Sequence, residues 1–462
     1  MTEADLVILG AGPAGLAAAR TAADRGLSVC LLDEQPRAGG QIYRDVARVD
    51  ARRAAILGAD YGRGAALVQA LYHPRITHLP GAVAWHLGGT ELGYTREGRV
   101  GTLRGRRLLI ATGALERPMP LPGWTLPGVM TAGAAQILLK GSGIVPERAV
   151  LVGSGPLLYL VAAQMLRAGL PPLALVETQG LGDLMAATRH LGGALRGWRG
   201  LVKGLGLLAE LKRGGVPRYR GATGIAIEGS DRAEALRFTA GGRAHRIACD
   251  TVLLHHGVVP NVQASRALGL AHDWCARQQC FVPRCDAWGR SSLDRVFVAG
   301  DGAGIGGAEV AALAGRLAAL EIATDLGTLL PGDRDLAARP LWRRLSQERA
   351  IRPFLDRAYP PSAEALDPAD DTLVCRCEEV RAGDIRAAAR QGCLGPNQAK
   401  SFTRAGMGPC QGRYCGLSVT GLLSKAHGQS PQQTGYYRIR PPLKPVTLGE
   451  LAGLSQQQDS KD

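Results

Sequence analysis

Residues 5–44 read DLVILGAGPAGLAAARTAADRGLSVCLLDEQPRAGGQIYR, and this stretch decides the fold. Residues 5–9 are a short apolar run that stops at Gly10. The spacing Gly10-x-Gly12-x-x-Gly15 follows, and residues 13–24 carry an Ala- and Leu-rich pattern of helical period that ends at Gly26. Residues 27–32 form a second apolar run, closed by Asp33 and Glu34. A strand, a glycine turn, a helix and a second buried strand open a parallel sheet, because parallel neighbours need a crossover helix between them. Gly10 permits the tight turn, Gly12 lets the backbone approach a phosphate chain, and Gly15 lets helix and strand pack closely. Pro13 and Ala14 begin the helix, whose unpaired N–H groups and partial positive charge attract an anion. An acid 18 or 19 residues beyond Gly15 suits the hydroxyls of a ribose. Alternation from Val29 and Leu31 favours Asp33, with Glu34 as the alternative.

The pattern recurs. RAVLVGSGPLLYLVAAQMLRAGLPPLALVET, residues 148–178, repeats the strand, the glycine turn at Gly153 and Gly155, the helix, and a strand ending at Glu177. Its third glycine position is Leu158, which weakens the case for close dinucleotide docking. Glu177 is suited to ribose hydroxyls, and no arginine pair follows it to receive a 2′-phosphate. NADH, a bare adenine nucleotide such as ATP, and an empty relic all stay open here. Three other segments bear on the first site. AGGQIYR follows the acid and contains Gly40 and Gln41. IATG ends a strand at Ala111, Thr112 and Gly113. VFVAGD closes on Gly300 and Asp301 before a long alanine-rich helix. A second acidic loop before a helix suits a polyol chain and a polarised ring.

Together these segments resemble the glutathione-reductase-like flavoproteins with two dinucleotide-binding domains, over about residues 4–325. The resemblance implies FAD at the first site, with NAD as a minor alternative. It also implies that Asp301 hydrogen-bonds the ribityl chain and that Gly40 and Gln41 lie near the pyrophosphate and ring. Members that reduce disulfides carry a cysteine pair near the flavin, and none occurs here between Gly40 and Gly113.

The chain has 462 residues, enough for several domains, and a net charge of +15 from 48 Arg and 7 Lys against 40 acids. The basic residues are dispersed and aromatics are few, which argues against nucleic acid as a partner. The N-terminus does not read as a signal or transit peptide, and no apolar stretch reaches the ~18 residues of a membrane span. A cytoplasmic protein is expected, or one peripheral at the inner membrane through a complex. Its ten cysteines then read as thiols or metal ligands. Cys30 and Cys393 read as core. Cys249, Cys275, Cys280 and Cys285 match no common ligand spacing. His255 and His256 follow a strand end and read as structural.

Four cysteines stand apart: Cys375 and Cys377 in LVCRCEEV, Cys410 and Cys415 in GMGPCQGRYCG. Structural zinc prefers C-x2-C knuckles, and zinc, an iron–sulfur cluster and a metal-free fold are the alternatives. The C-x-C pair with a distant glycine-flanked pair resembles the bacterioferritin-associated-ferredoxin-like domain, which implies a [2Fe–2S] cluster on the four thiolates. Glycines 406, 408, 412 and 416 would offer N–H groups to the sulfurs, and Arg376, Lys400, Arg404 and Arg413 would favour the reduced cluster.

LLDEQPRAGGQIYR, LPGWTLPGVMTAGAAQ, LVGSGPLLYLVAAQMLRAG and GMGPCQGRYCG together resemble the larger subunits of bacterial amino- and imino-acid dehydrogenases. These include the opine oxidase A, hydrogen cyanide synthase B and D-hydroxyproline dehydrogenase α subunits. The resemblance implies a catalytic flavoprotein partner of D-amino-acid-oxidase type, a small third ferredoxin-like subunit in some assemblies, and electrons leaving for a quinone or other acceptor. It leaves open FMN at a subunit interface. The alternative is a self-contained NADH:acceptor reductase with a fused [2Fe–2S] relay. No catalytic acid/base pair is evident beside the flavin motifs. The expected architecture is α/β. Two Rossmann-like domains cover 1–118 with 286–330, and 119–285. A linker with one helical stretch spans 331–371, a small [2Fe–2S] domain 372–425, and a tail 426–462, disordered over its last dozen residues.

Overall fold

The computed structural model describes residues 2–459. The first apolar run is strand Thr2–Leu9, at the centre of a sheet ordered Ile76–Pro80, Val29–Asp33, Thr2–Leu9, Arg99–Ile110, Glu91–Arg96, Val83–Gly88. The first four strands are parallel, and the last two form an antiparallel extension. Arg99–Ile110 serves two neighbours along one edge. Its beginning pairs antiparallel with Glu91–Arg96, while Leu108 to Ile110 pair in parallel with Val296–Val298. That return strand carries the Gly300–Asp301 loop back beside the Gly10 turn. Helix Pro13–Asp24 lies on helix Ala308–Asp325 at backbone contact, for a Cβ on Gly315 would stand 2.1 Å from the Ala14 carbonyl oxygen.

The repeat is real in space. Arg218–Arg220, Ala174–Glu177, Ala149–Gly153 and Thr251–His255 follow the same parallel order as their counterparts, with Val129–Thr131 beyond them. A three-stranded antiparallel sheet, Thr223–Glu228, Ala235–Ala240 and Arg243–Ala248, caps this second unit.

Two expectations need correction. Residues 331–371, expected as a linker with one helical stretch, form a strap of three helices, Pro331–Arg349, Arg352–Ala358 and Ala363–Leu366. Ala338 and Leu345 sink into the first unit's core. The segment is rich in Pro, Asp and Arg, and these polar residues hide its few apolar anchors. Nor do residues 426–462 form a tail. Tyr436, Tyr437, Ile439 and Leu443 are buried with the cysteine unit. The Leu443 N–H bonds the Trp85 carbonyl oxygen at 2.8 Å, and Leu448–Asp459 is helical. The disorder expected of the last dozen residues therefore does not hold through residue 459, and residues 460–462 lie outside the described residues.

The cysteine unit is built from a short strand pair, Leu373–Cys375 with Val380–Arg381, and helices Ala382–Arg390, Pro396–Thr403 and Gly416–His427. One apolar cluster runs from Val7, Leu32 and Leu108 of the first sheet into Val374, Cys415, Val419 and Tyr436. Cys30 and Cys393 are in it, as their apolar surroundings in the sequence suggest. Trp124 Nε1 donates to the Leu373 carbonyl at 2.8 Å and ties the second unit in.

Candidate functional site

The Gly10 turn, the strand end at Ala111, Thr112 and Gly113, and the Gly300–Asp301 loop meet on one cleft. Gly12, Pro13, Ala14, Asp33, Glu34, Gly40 and Gln41 line it too, around about 1870 Å³ of atom-free space that opens to solvent. Gly15 stands behind the wall, where a Cβ would be 1.9 Å from the Gly10 carbonyl oxygen. Gly40 touches Gly12 closely enough that its own Cβ would lie 2.8 Å from the Gly12 Cα. The two glycine loops thus bring backbone N–H groups and a helix N-terminus together, as a pyrophosphate requires.

The acids each brace backbone. Asp33 Oδ2 accepts from the Ala11 N–H at 2.6 Å and Oδ1 from the Gln35 N–H at 2.8 Å. Burial pushes its pKa up against those bonds, and each oxygen keeps a lone pair for a hydroxyl. Glu34 pairs with Lys444 at 2.7 Å. Burial would raise its pKa, but Lys444 and Arg413 outweigh burial and hold it below the usual range. Asp301 Oδ1 accepts from the Gly306 and Gly307 N–H groups, both at 2.9 Å, and so sets the loop that launches the next helix.

The fold adds residues that the sequence motifs do not reveal. Helix Ala132–Ser142 of the second unit crosses to the first cleft and presents Gly133, Gln136, Ile137 and Lys140 to it. Lys140 Nζ donates to the Gln41 carbonyl at 3.0 Å and to Gln136 Oε1 at 2.8 Å. Neither partner is charged. Burial, with Arg44 nearby, brings the amine's pKa down to about 7. Arg44 also lines the cleft, and its Nε is buried without a partner. Two cations that form no ion pair among the described residues, beside a phosphate-binding turn, suit an anionic ligand. Glu116 lines the same wall; Oε1 accepts from the Gly133 N–H and meets His255 Nδ1, both at 2.9 Å. Of this pair Glu116 lines the cleft, whereas His255 is buried behind it with Glu116 as its partner. The two come from strand ends distant in the chain, and sequence spacing carried no signal of the pair. His256 is wholly structural, bonded to the Pro118 carbonyl and the Ser362 N–H.

At the second turn, Gly153 and Gly155 adopt positive φ, and helix Pro156–Arg167 follows, as expected. The acid is different. Glu177 is fully buried and its carboxylate is taken by its own chain. Tyr159 Oη and Gln179 Nε2 donate to Oε1, and Arg218 forks onto both oxygens at 2.9 and 3.1 Å. Arg220 is 3.9 Å away. Arginines do reach this acid, from the neighbouring strand rather than from the residues after Glu177, and they pair with the acid itself.

The four cysteines Cys375, Cys377, Cys410 and Cys415 come together as two couples. Cys375 and Cys415 are buried and within hydrogen-bonding reach of each other; Cys377, exposed, and Cys410 form the second couple. The contact with Cys415, and N–H groups of Gly406, Glu378 and Cys377, hold the Cys375 thiol down to about 6 against burial. Among the described residues, no group of three or more His, Cys, Asp or Glu is arranged to hold a single metal ion. Four thiols in two adjacent couples are a donor set that either a two-iron centre or a tetrahedral ion can take. The glycines have a further task. A Cβ on Gly406 or Gly412 would strike the Tyr437 ring, on Gly416 the Tyr436 ring, and on Gly408 the Cys377 Cβ. The Gly416 N–H is spent on the Gly412 carbonyl, so it is not free for a sulfur. Arg404 is spent on Glu378 at 2.8 Å. The cysteines at 275 and 280 face each other across a hairpin.

The flavin-type cleft and the cysteine loop share a wall. Gln263 and Arg413 line the cleft, and also a small cavity with Tyr436 on the cysteine side. Gln263 Nε2 donates to the Gln411 carbonyl at 3.3 Å.

Residues 4–318 match the pyridine nucleotide-disulphide oxidoreductase family, and residues 369–454 the sarcosine oxidase A3 domain. The chain belongs to the pyridine nucleotide-disulphide oxidoreductase family. It is a flavin-dependent oxidoreductase, and membership supports FAD in the first cleft. The opine oxidase A polypeptide of Rhizobium meliloti (strain 1021) is 45% identical over 455 residues, 97% of this chain and 98% of the relative. Hydrogen cyanide synthase subunit HcnB of Pseudomonas aeruginosa is 33% identical over 98% of this chain and 99% of its own. L-proline dehydrogenase from P. horikoshii superposes with a TM-score of 0.69 at 19% identity, over 97% of this chain and 79% of that one, a likeness of fold. No described helix is long and apolar enough to cross a membrane.

Proposed function

We propose that this chain is the FAD- and [2Fe–2S]-carrying electron-transfer subunit of a hetero-oligomeric dehydrogenase that oxidises an amino or imino acid. The observation that carries the reading is the shared wall: Gln263 and Arg413 touch both the dinucleotide cleft and the loop of Cys410 and Cys415. A flavin accepts electrons in pairs and can give them up singly, while a two-iron cluster handles one at a time. In this reading Gly12, Pro13, Ala14 and Gly40 hold the pyrophosphate. Asp33 or Glu34 takes the ribose, and Asp301 the ribityl chain. Lys140 and Arg44 balance negative charge. Cys375, Cys377, Cys410 and Cys415 hold the irons, and buried Tyr436 and Tyr437 keep water from the inner couple. The unit boundaries would be 1–118 with 286–330, then 119–285, then the cysteine unit.

The named relatives are themselves subunits of an opine oxidase and a hydrogen cyanide synthase, which supports a separate catalytic flavoprotein partner. In this reading the complex is cytoplasmic or peripheral at the membrane and feeds a quinone or other acceptor. The test is co-purification with a co-expressed D-amino-acid-oxidase-type subunit, followed by dye reduction across a panel of amino and imino acids. Cys410→Ser should abolish iron and the cluster's visible absorbance with flavin retained. A wild-type chain that stays iron-free after anaerobic reconstitution overturns the iron–sulfur part. The second reading, an NADH reductase, is disfavoured by the internal partners of Glu177. Rapid flavin bleaching by NADH would revive it.

A further inference from the structure

We propose that the outward face of the cysteine unit, around Cys377, is the docking site of an acidic one-electron carrier protein. The proposal rests on the iron–sulfur reading above and goes beyond it by assigning a direction. The two sulfur couples are not equivalent. Cys375 and Cys415 are buried, in the cluster that reaches the first sheet, whereas Cys377 is exposed and Cys410 half-buried. Electrons that arrive by the Arg413 and Gln263 wall would leave by the Cys377 edge.

That edge has the make-up of a transient interface. Gly408 packs on Cys377, where its Cβ would come within 2.3 Å of the cysteine's, and Met407 is its neighbour in the chain. Met407 is 52% exposed and Phe402, on the adjoining helix, 64%. Arg404 bonds Glu378 across the same loops. Large apolar side chains in the open beside a redox-type thiol are unusual for a solvated surface, and an apolar centre with a charged rim is the anatomy of protein contacts.

The unit that carries this edge is strongly positive, although Glu378 and Glu379 follow Cys377 at the edge itself. Residues 372–445 hold eleven Lys and Arg against three Asp and Glu, so this sixth of the chain carries more than half of the net +15. Arg376, Arg381, Arg390, Arg438 and Arg440 are exposed and form no ion pair among the described residues. A field of that sign steers an acidic partner and suits a small, fast, weak complex. A lipid surface fits less well, because the exposed apolar residues stand on one helix end and the loop after it rather than along one helix face. The transfer makes and breaks no bond: one electron leaves the reduced chain and one reduces the oxidised carrier.

The test uses the full chain with its flavin. An acidic plant-type ferredoxin and a flavodoxin are titrated calorimetrically, with basic cytochrome c as control, at about 20 and about 300 mM salt. Expected are binding of the acidic carriers at low salt and a loss of roughly tenfold or more at high salt. Arg376→Glu and Met407→Asp should each weaken binding about tenfold while flavin content and melting temperature stay unchanged. Arg199→Glu, on the second unit, should change nothing. The proposal falls if neither acidic carrier binds, if cytochrome c binds as well, if both face variants bind normally, or if only anionic vesicles are retained. Iron content and spin resonance on the same sample separate the two readings. An iron-free chain that still binds keeps the face and removes the cluster, while an iron-loaded chain that does not bind does the reverse.

Discussion

The turns at Gly10 and Gly153 sit on sheets of the same strand order, yet they treat their acids differently. At the first, the acid of the second strand spends its bonds on two backbone N–H groups and still lines open space. At the second, the corresponding acid is fully buried under Tyr159, Gln179 and Arg218. A glycine fingerprint therefore marks a unit of fold. Whether it is also a site depends on what neighbouring strands bring to the acid. The cations tell the same story in reverse: Arg218 pairs with Glu177, while Lys140 and Arg44 form no ion pair among the described residues.

The largest expected effect comes from making the first turn like the second. Gly15→Leu forces side-chain atoms into the Gly10 carbonyl and should abolish flavin retention, read from the visible spectrum of the purified chain. Full retention would mean that the close contact is not what holds the turn.

Next is Lys140→Met. Loss of a charge-assisted bond of about 1.5–3 kcal/mol should weaken FAD binding roughly 10- to 100-fold. Binding should also depend on pH. The amine falls from its ordinary 10.5 to about 7 in the folded chain, so the folded state binds fewer protons than the unfolded chain between those values. Its stability therefore rises with pH across that window. A bound anion raises the pKa again. FAD affinity should thus fall as pH rises above about 7, and the variant should lose this dependence. A flat titration of the wild type would remove Lys140 from the site.

Glu177→Gln sharpens the contrast. It leaves Arg218 facing an uncharged buried partner and should cost about 2–4 kcal/mol by thermal or denaturant unfolding, with FAD content intact. If ATP or NADH affinity changed and stability did not, Glu177 would be a ligand rather than a brace. The smallest effect is Lys444→Ala. The ion pair with Glu34 is partly exposed on both sides and should contribute no more than about 0.5 kcal/mol to unfolding.

Much of this was legible in the chain. The Gly10 and Gly153 units, the strand end at Thr112 and the loop at Asp301 were readable because each is a local pattern, period and punctuation within thirty residues. The cysteines were singled out by spacing and flanking glycines, but their division into an inner and an outer couple was not. It depends on Tyr436 and Tyr437, which lie in what the composition presents as a polar tail. That the helix at 331–349 packs into the first core was missed for a similar reason, since Ala338 and Leu345 are too sparse to form a periodic stripe.

By itself the sequence determined that two parallel-sheet units with phosphate-binding turns precede a cysteine-bearing unit, because turn geometry and strand burial are set by neighbours along the chain. Only the tertiary structure decided that Arg218 closes the second acid, that Lys140 reaches the first cleft, and that Gln263 and Arg413 join that cleft to the cysteines. Those outcomes depend on contacts between strands and helices far apart in the chain, and an unpaired buried charge is recognised only when everything around it is known.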